Sequence, residues 1–423
     1  MTAQPSLLRR IGLADAVFIG LGSMIGAGVF AAFSPAARAA GSGLLIGLVI
    51  AAVVAYCNAS SSAQLAAAHP VSGGTYAYGR AELGEWPGFV AGWCFVIGKT
   101  ASCAAMALTF AAYAAPPGWE RAVGIAAVVA LVAVNSFGIT RTAQLTRVIV
   151  VVSLLGLAIA VAAGSSAIAG GGSAGGSAFS ASALLENGWY GILQAGGLLF
   201  FAFAGYARIA TMGEEVRDPR RTIPRAITIA LAATVVVYAV VAVVVLGTLG
   251  PLGTAATDAP VAATAAASGW SWAVPVVRVA AAAASLGALL ALIAGIGRTS
   301  LAMAREGDLP RALAVVHPRW RVPRRAEFAV GAVVMLLVAF TDLRGAIAFS
   351  SFGVLIYYFI ANASALHQGG TQRRYPRWLQ VLGMLGCAVL VVTLPPAGIV
   401  VGVAVVVVGV LYRLVVRARL RRT

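Results

Sequence analysis

The chain has 423 residues, of which 61% are hydrophobic and only 10% charged, with a mean hydropathy of +0.93. A soluble domain carries roughly a quarter charged residues, so this composition excludes a water-soluble fold and makes the lipid bilayer the chain's first partner. The net charge of +17 would ordinarily raise nucleic acid, but the arginines lie in short loops between apolar runs and form no aromatic-interleaved patch.

Taken in chain order, runs able to cross a hydrocarbon core of about 30 Å fall near 12–38, 43–67, 87–115, 121–138, 147–165, 188–211, 226–249, 270–298, 328–342, 345–366, 377–394 and 397–413. They predict an all-α integral membrane protein of about twelve transmembrane helices, a single domain over 1–423. Alternate loops gather the arginines. Arg9 and Arg10, Arg80, Arg141 and Arg147, Arg217 to Arg225, Arg305 to Arg325, Arg373 to Arg377 and Arg413 to Arg422 share one side, whereas Arg38, Arg121 and Arg344 stand on the other. Positive loops stay cytoplasmic, so both termini are expected in the cytoplasm of a multi-pass cell-membrane protein. No small-residue cleavage site follows the first span, and the N-terminus is expected to be retained.

The Gly/Ser-rich stretch at 164–187 lies on the arginine-poor side and reads as a flexible external loop. It separates helices 1–5, at 12–165, from helices 6–10, at 188–366, with helices 11 and 12 appended at 377–413. That division suggests two five-helix repeats of opposite orientation. All four cysteines, Cys57, Cys94, Cys103 and Cys387, fall inside predicted helices and read as small hydrophobes. No cofactor or metal is expected.

Helix 1 carries Gly20, Gly22, Gly26 and Gly28 in I-G-L-G-S-M-I-G-A-G-V-F. A glycine costs about 1 kcal/mol relative to alanine in a helix, so this stretch is open to unwinding, which would present backbone N–H groups to an anion. Close helix packing through small residues is the competing reading. Helix 6 contains F-F-A-F-A-G-Y-A-R from Phe200 to Arg208. Unwinding near Ala202 to Gly205 would free carbonyls for an ammonium group, while an aromatic packing stripe is the plainer alternative.

Four motifs resemble the amino acid–polyamine–organocation superfamily of permeases, especially its cationic amino acid transporter-like branch. They are G-S-M-I-G-A-G-V-F at Gly22 to Phe30, S-G-G-T-Y-A-Y at Ser72 to Tyr78, G-E-E-V-R-D-P-R-R-T-I-P-R-A at Gly213 to Ala226, and L-A-M-A-R-E-G-D-L-P at Leu301 to Pro310. The resemblance implies a leucine-transporter-like, five-plus-five inverted-repeat fold that holds an amino acid or small amine between broken helices 1 and 6. It implies that backbone around Met24, Ile25, Gly26, Ala27 and Gly28 binds the carboxylate. Carbonyls near Ile25, Phe201, Ala202 and Ala204 would take the amino group. Phe203 and Tyr206 would shape the side-chain pocket or gate, and Glu214, Glu215, Arg217 and Asp218 an inner ion-pair network.

Lys99 is the only lysine, and it lies in the middle of helix 3. An ionisable group at that depth is costly and points to function. Its cation can stand where a sodium ion would bind, and burial favours proton exchange with the neutral amine; a lysine bonded to carbonyls for structure alone is the alternative. The resemblance places a coupling lysine of several relatives in helix 5, where this chain has Ser153, and an acidic residue of the cationic branch where it has Ala207. The first departure keeps an exchanger, or a polyamine-type permease without proton coupling, beside a proton symporter; the second favours neutral amino acids or small amines. An enzyme is not expected, because the helices carry no paired carboxylates or Ser/His/Asp set and His69, His317 and His367 all fall at loops. A non-transporting amino acid sensor lacks a soluble signalling domain.

Overall fold

The computed structural model describes residues 11–70, 73–137, 143–171, 178–212, 215–320 and 322–420. Predicted helix 1 is three pieces, α1 (Leu13–Met24), α2 (Ala27–Ala31) and α3 (Phe33–Ala40), and helix 2 is α4 (Leu44–Ala68). A short α5 (Thr75–Leu83) precedes helix 3, which is α6 (Glu85–Ala114); helices 4 and 5 are α7 (Glu120–Ser136) and α8 (Ala143–Ala169). After α9 (Ala181–Leu185), helix 6 consists of α10 (Gly188–Phe203), a 3-10 turn at Ala204–Tyr206 and α11 (Ala207–Ala210). Helix 7 is α12 (Pro219–Ala255), followed by α13 (Pro260–Ala267) and helix 8, α14 (Ala273–Arg305). The remainder are α15 (Arg324–Phe340), α16 (Leu343–His367), α17 (Arg377–Thr393) and α18 (Pro396–Leu420).

Nine helical runs among the described residues are long and apolar enough to cross a membrane. The other three predicted spans, α7, α15 and α17, have 17 residues each, about 25 Å at 1.5 Å per residue and the short end of the spanning range. The chain is thus a multi-pass membrane protein. Helix 5 extends to Ala169, so the start of the expected 164–187 loop is helical; residues 172–177 lie outside those described. Helix 7 starts on Pro219, whose missing N–H costs nothing at a first helical position, and it kinks where Gly250, at φ 67°, is followed by Pro251.

Between lipid-facing helices the driving force is close packing rather than water release. α6 and α16 meet backbone to backbone at Gly98 and Gly353, where a Cβ on Gly353 would sit 2.9 Å from the Gly98 Cα. α6 also packs on α14, and α16 on α4 and α17. α18 stands at the periphery, with few of its described residues buried.

The arginine-rich loops converge on one end of the bundle. Ile11 and Val216 form a parallel bridge before α1, Arg374 donates to the Arg220 carbonyl, and Arg413 donates to the Glu85 carbonyl. At the other end Arg38 donates to the Ala255 carbonyl and Arg121 to the Ala339 carbonyl, and Arg278, inside α14, donates to the Tyr113 carbonyl.

Candidate functional site

Helix 1 leaves helical geometry at two residues only. Ile25 has φ −80° and ψ 40°, and Gly26 has φ −91° and ψ −133°. Met24 belongs to α1, and Ala27 and Gly28 begin α2, so the interruption is tighter than the glycine content suggests. The first N–H groups of the second half have no acceptor within their own helix. The remaining glycines serve proximity: a Cβ on Gly28 would lie 2.6 Å from the Ala202 Cα, and one on Gly22 would lie 3.0 Å from Val150 of α8. Gly26 does both, since a Cβ on it would lie 2.8 Å from the Ala288 Cβ of α14.

Helix 6 does not unwind. It tightens into the 3-10 turn at Ala204–Tyr206, because Ala204, at φ −65° and ψ 3°, stays close to helical values. Gly205, without a side chain, admits the Ser23 carbonyl of helix 1 against the turn. The shift from i→i+4 to i→i+3 bonding redirects the carbonyls here, and other helices supply donors. Lys99 Nζ donates to the Ala204 oxygen at 3.1 Å and Tyr358 Oη to the same oxygen at 3.3 Å. Tyr238 Oη lies 2.5 Å from the Met24 oxygen and 3.0 Å from the Ala202 oxygen, joining the two interrupted helices. Tyr113 Oη donates to the Phe30 carbonyl at 2.8 Å.

Met24, Ile25, Gly26, Ala27, Gly28, Ala202, Phe203 and Ala204 are all buried, and Lys99 is 7% exposed, so the break is closed off in this conformation. The carbonyls of Ala202 and Ala204, expected to receive an ammonium group, already carry hydroxyl and lysine donors. Phe203 packs on Tyr238 with ring centres 5.0 Å apart. Phe201 joins a different cluster, with Leu198 and Leu289. Tyr206 lies against Tyr358 at 5.0 Å, buried within the bundle. Ser153 donates to the Ile149 carbonyl on its own helix.

The expected inner network is partly assembled. Glu215 faces Arg298 of α14 at 3.8 Å, and its carbonyl accepts from the Ile11 N–H. Asp218 pairs with its exposed neighbour Arg221. Glu214 lies outside the described residues. A stronger cluster, unforeseen from the sequence, centres on Asp308. It accepts from Arg80 at 3.0 Å and from Tyr76 at 2.9 Å, and pairs with Arg413 at 3.2 Å. Burial, then the neighbouring Asp308 carboxylate, raise the Tyr76 hydroxyl and keep it protonated as a donor. Arg413 also lies over the rings of Trp86 and Phe89. Tyr238 is a single polar residue in an apolar run, and although Asp308 belongs to the L-A-M-A-R-E-G-D-L-P motif and Tyr358 follows Tyr357, only their partners show what these three side chains do.

A family model described as amino acid permease matches residues 11–416. An uncharacterized transporter of Mycobacterium tuberculosis is 57% identical over 99% of this chain and 94% of its own length. A branched-chain amino acid permease of Bacillus subtilis is 24% identical, covering 90% of this chain and 86% of its own length. A chloroplastic cationic amino acid transporter of Arabidopsis thaliana is 27% identical, covering 82% of this chain and 64% of its own length. A match over residues 11–416, from just before α1 into the last turns of α18, on a bundle with a broken first helix, means that the chain belongs to the amino acid permease family of the amino acid–polyamine–organocation superfamily.

Proposed function

We propose that this permease is a proton-linked secondary transporter that holds a neutral amino acid or small amine between the Ile25–Gly26 break and the Ala204–Tyr206 turn. The N–H groups opening α2 receive the carboxylate, and carbonyls at the two interruptions receive the amino group. Twelve crossings with both termini cytoplasmic, in two inverted five-helix repeats plus two helices, are the frame in which this site alternates between sides.

The observation that carries the coupling role is the bond from Lys99 Nζ to the Ala204 carbonyl. A charged Lys99 ties α6 to the turn of helix 6, and a neutral one holds it less strongly. A lysine can give up and regain its proton, which an arginine does not do; the other basic side chains, apart from three histidines, are arginines. Proton occupancy of Lys99 therefore biases the position of helix 6 against helix 3, and both move with access to the site.

The test is uptake into liposomes under an imposed proton gradient, set against counterflow of labelled amino acid without one. Lys99→Ala is expected to abolish gradient-driven uptake and to retain counterflow. Gradient-driven uptake at the wild-type rate would overturn the coupling role.

A further inference from the structure

A polar seam runs from the site to the arginine-rich end between α4, α16 and α17. It starts at Tyr358, which shares the Ala204 carbonyl with Lys99. One turn along α16, Asn362 Nδ2 donates to Asn58 Oδ1 at 2.6 Å, while Ser61 Oγ donates to Asn362 Oδ1 at 2.7 Å. Cys387 of α17 donates to the same Asn58 oxygen. Further along, Gln64 Nε2 donates to Gln368 Oε1 at 3.0 Å, and Gln368 Nε2 donates to Glu82 Oε1 at 2.8 Å. Asn58, Ser61 and Gln64 recur every three residues on one face of α4, and Tyr358, Asn362 and Ala365 share a face of α16.

The seam ends in a titratable group. Glu82 of α5 is 2.7 Å from His69 Nε2 and 3.8 Å from His367 Nδ1, so two of the chain's three histidines converge on one carboxylate. Burial alone would raise the Glu82 carboxyl. Hydrogen bonds to His69 and Gln368, and the charges of His69 and His367, outweigh it and hold the group below its ordinary range. Tyr78 stacks on His69 at 6.2 Å, and Arg373 donates to the Gln368 carbonyl. The titratable and charged groups facing the seam are thus Lys99 and Cys103 at its start, Tyr206, Tyr357, Tyr358, Cys57 and Cys387 along it, and Glu82, His69, His367, Tyr78, Arg373, Arg374 and Tyr375 at its end.

Several buried atoms on the seam have no protein partner: Asn58 Nδ2 and both polar atoms of Gln380. Gln380 is fully buried on α17, one turn from Gly383, whose missing Cβ leaves room for Asn362. A buried amide that neither donates nor accepts is costly, and water is the partner such a site takes. An amide does not itself release protons, but it orders water by donating and accepting at once.

We propose that this seam is a hydrated path carrying the coupling proton between Lys99 and the cytoplasm, with the Glu82–His69 pair as the exchange point; it rests on the reading of Lys99 as the coupling residue. The N–H bond of the Lys99 ammonium breaks, its proton enters the water file, and an equivalent proton leaves the file onto Glu82–His69 and then to bulk water. Lys99 is left neutral, ready to be charged again from the other side.

The test compares substrate-driven acidification of the liposome lumen with counterflow, which needs no net proton movement. Gln380→Leu replaces an unpaired amide by an apolar side chain of similar size, so it is expected to fold. In Gln380→Leu and Asn362→Leu, acidification is expected to fall by about a hundredfold while counterflow stays within about twofold of wild type. Glu82→Gln is expected to lose acidification less severely and to change its pH profile, because His69 remains. Wild-type acidification in both Leu variants would overturn the seam while leaving Lys99 intact. Loss of counterflow together with acidification would also overturn it, in favour of a packing clasp. Absence of proton movement in the wild-type protein, or its retention in Lys99→Ala, would overturn the coupling reading and the seam with it.

Discussion

The break between helices 1 and 6 and the Asp308 cluster at the arginine-rich end solve one problem in opposite ways. At the break, four carbonyls, those of Met24, Phe30, Ala202 and Ala204, face three tyrosine hydroxyls and a single lysine, with the one proton of Tyr238 shared between Met24 and Ala202. At the other end one carboxylate is surrounded by Arg80, Arg413 and Tyr76. Charge is spent sparingly at membrane depth, where each ion lacks water, and freely where the helices reach the interface. The break is therefore suited to changing partners, since neutral bonds exchange at little cost. The Asp308 cluster is suited to holding α5, α6 and α18 in register.

The sharpest way to break this contrast is Gly205→Ala. If Gly205 were an ordinary helical glycine, alanine would stabilise the helix by about 1 kcal/mol. Here the added Cβ would meet the Ser23 carbonyl and the Met24 N–H, so uptake is expected to drop to the level of empty liposomes, with a lowered melting temperature. A stabilised, active variant would show that helices 1 and 6 need not touch at the turn.

Next in size is Asp308→Asn, which leaves Arg413, itself only 3% exposed, with only the longer 3.8 Å pairing to the exposed Glu85. Removing one partner of a buried pair costs about 3–5 kcal/mol. The same exchange at Asp258, paired with Arg38 at the exposed opposite end, is expected to cost less than about 1 kcal/mol. Thermal unfolding in detergent at low and high salt reads both. Equal losses would erase the distinction between the two ends.

The smallest expected effect is that of Tyr238→Phe. Removing the hydroxyl leaves the Met24 and Ala202 oxygens without that donor, which costs about 1–3 kcal/mol. Because the bond joins the two interrupted helices, the apparent affinity in counterflow is expected to change along with stability. A change in stability alone would make Tyr238 a packing residue.

Much of this was legible in the residues. Nine of the apolar runs are, among the described residues, helices long enough to cross a membrane, and Gly26 marks the place where helix 1 leaves helical geometry. Lys99 stood out because a lone lysine in an apolar helix has no cheap place to go. What the residues did not disclose is more specific. Gly20, Gly22 and Gly28 look the same as Gly26 in a string, and all four are closely approached, by Ile209, Val150, Ala202 and Ala288; only the backbone angles of Gly26 mark it as the break. The F-A-F-A-G-Y stretch of helix 6 suggested unwinding, yet a 3-10 turn frees carbonyls at lower cost by keeping most bonds. The short loop acids are the ones the motif points to for the inner network, whereas the Asp308 cluster joins residues 228 positions apart, Arg80 with Asp308.

Composition and periodicity by themselves determined that the chain is a membrane helix bundle, and the placement of arginine determined which loops belong together. Both follow from transfer energies that each segment meets independently of the rest of the fold. Which carbonyl faces Lys99, which glycine touches a backbone, and how Asn58, Asn362 and Glu82 line up behind the site were decided only by tertiary structure. Those are pairings between distant segments, and a hydrogen bond has no energy until both of its ends are in place.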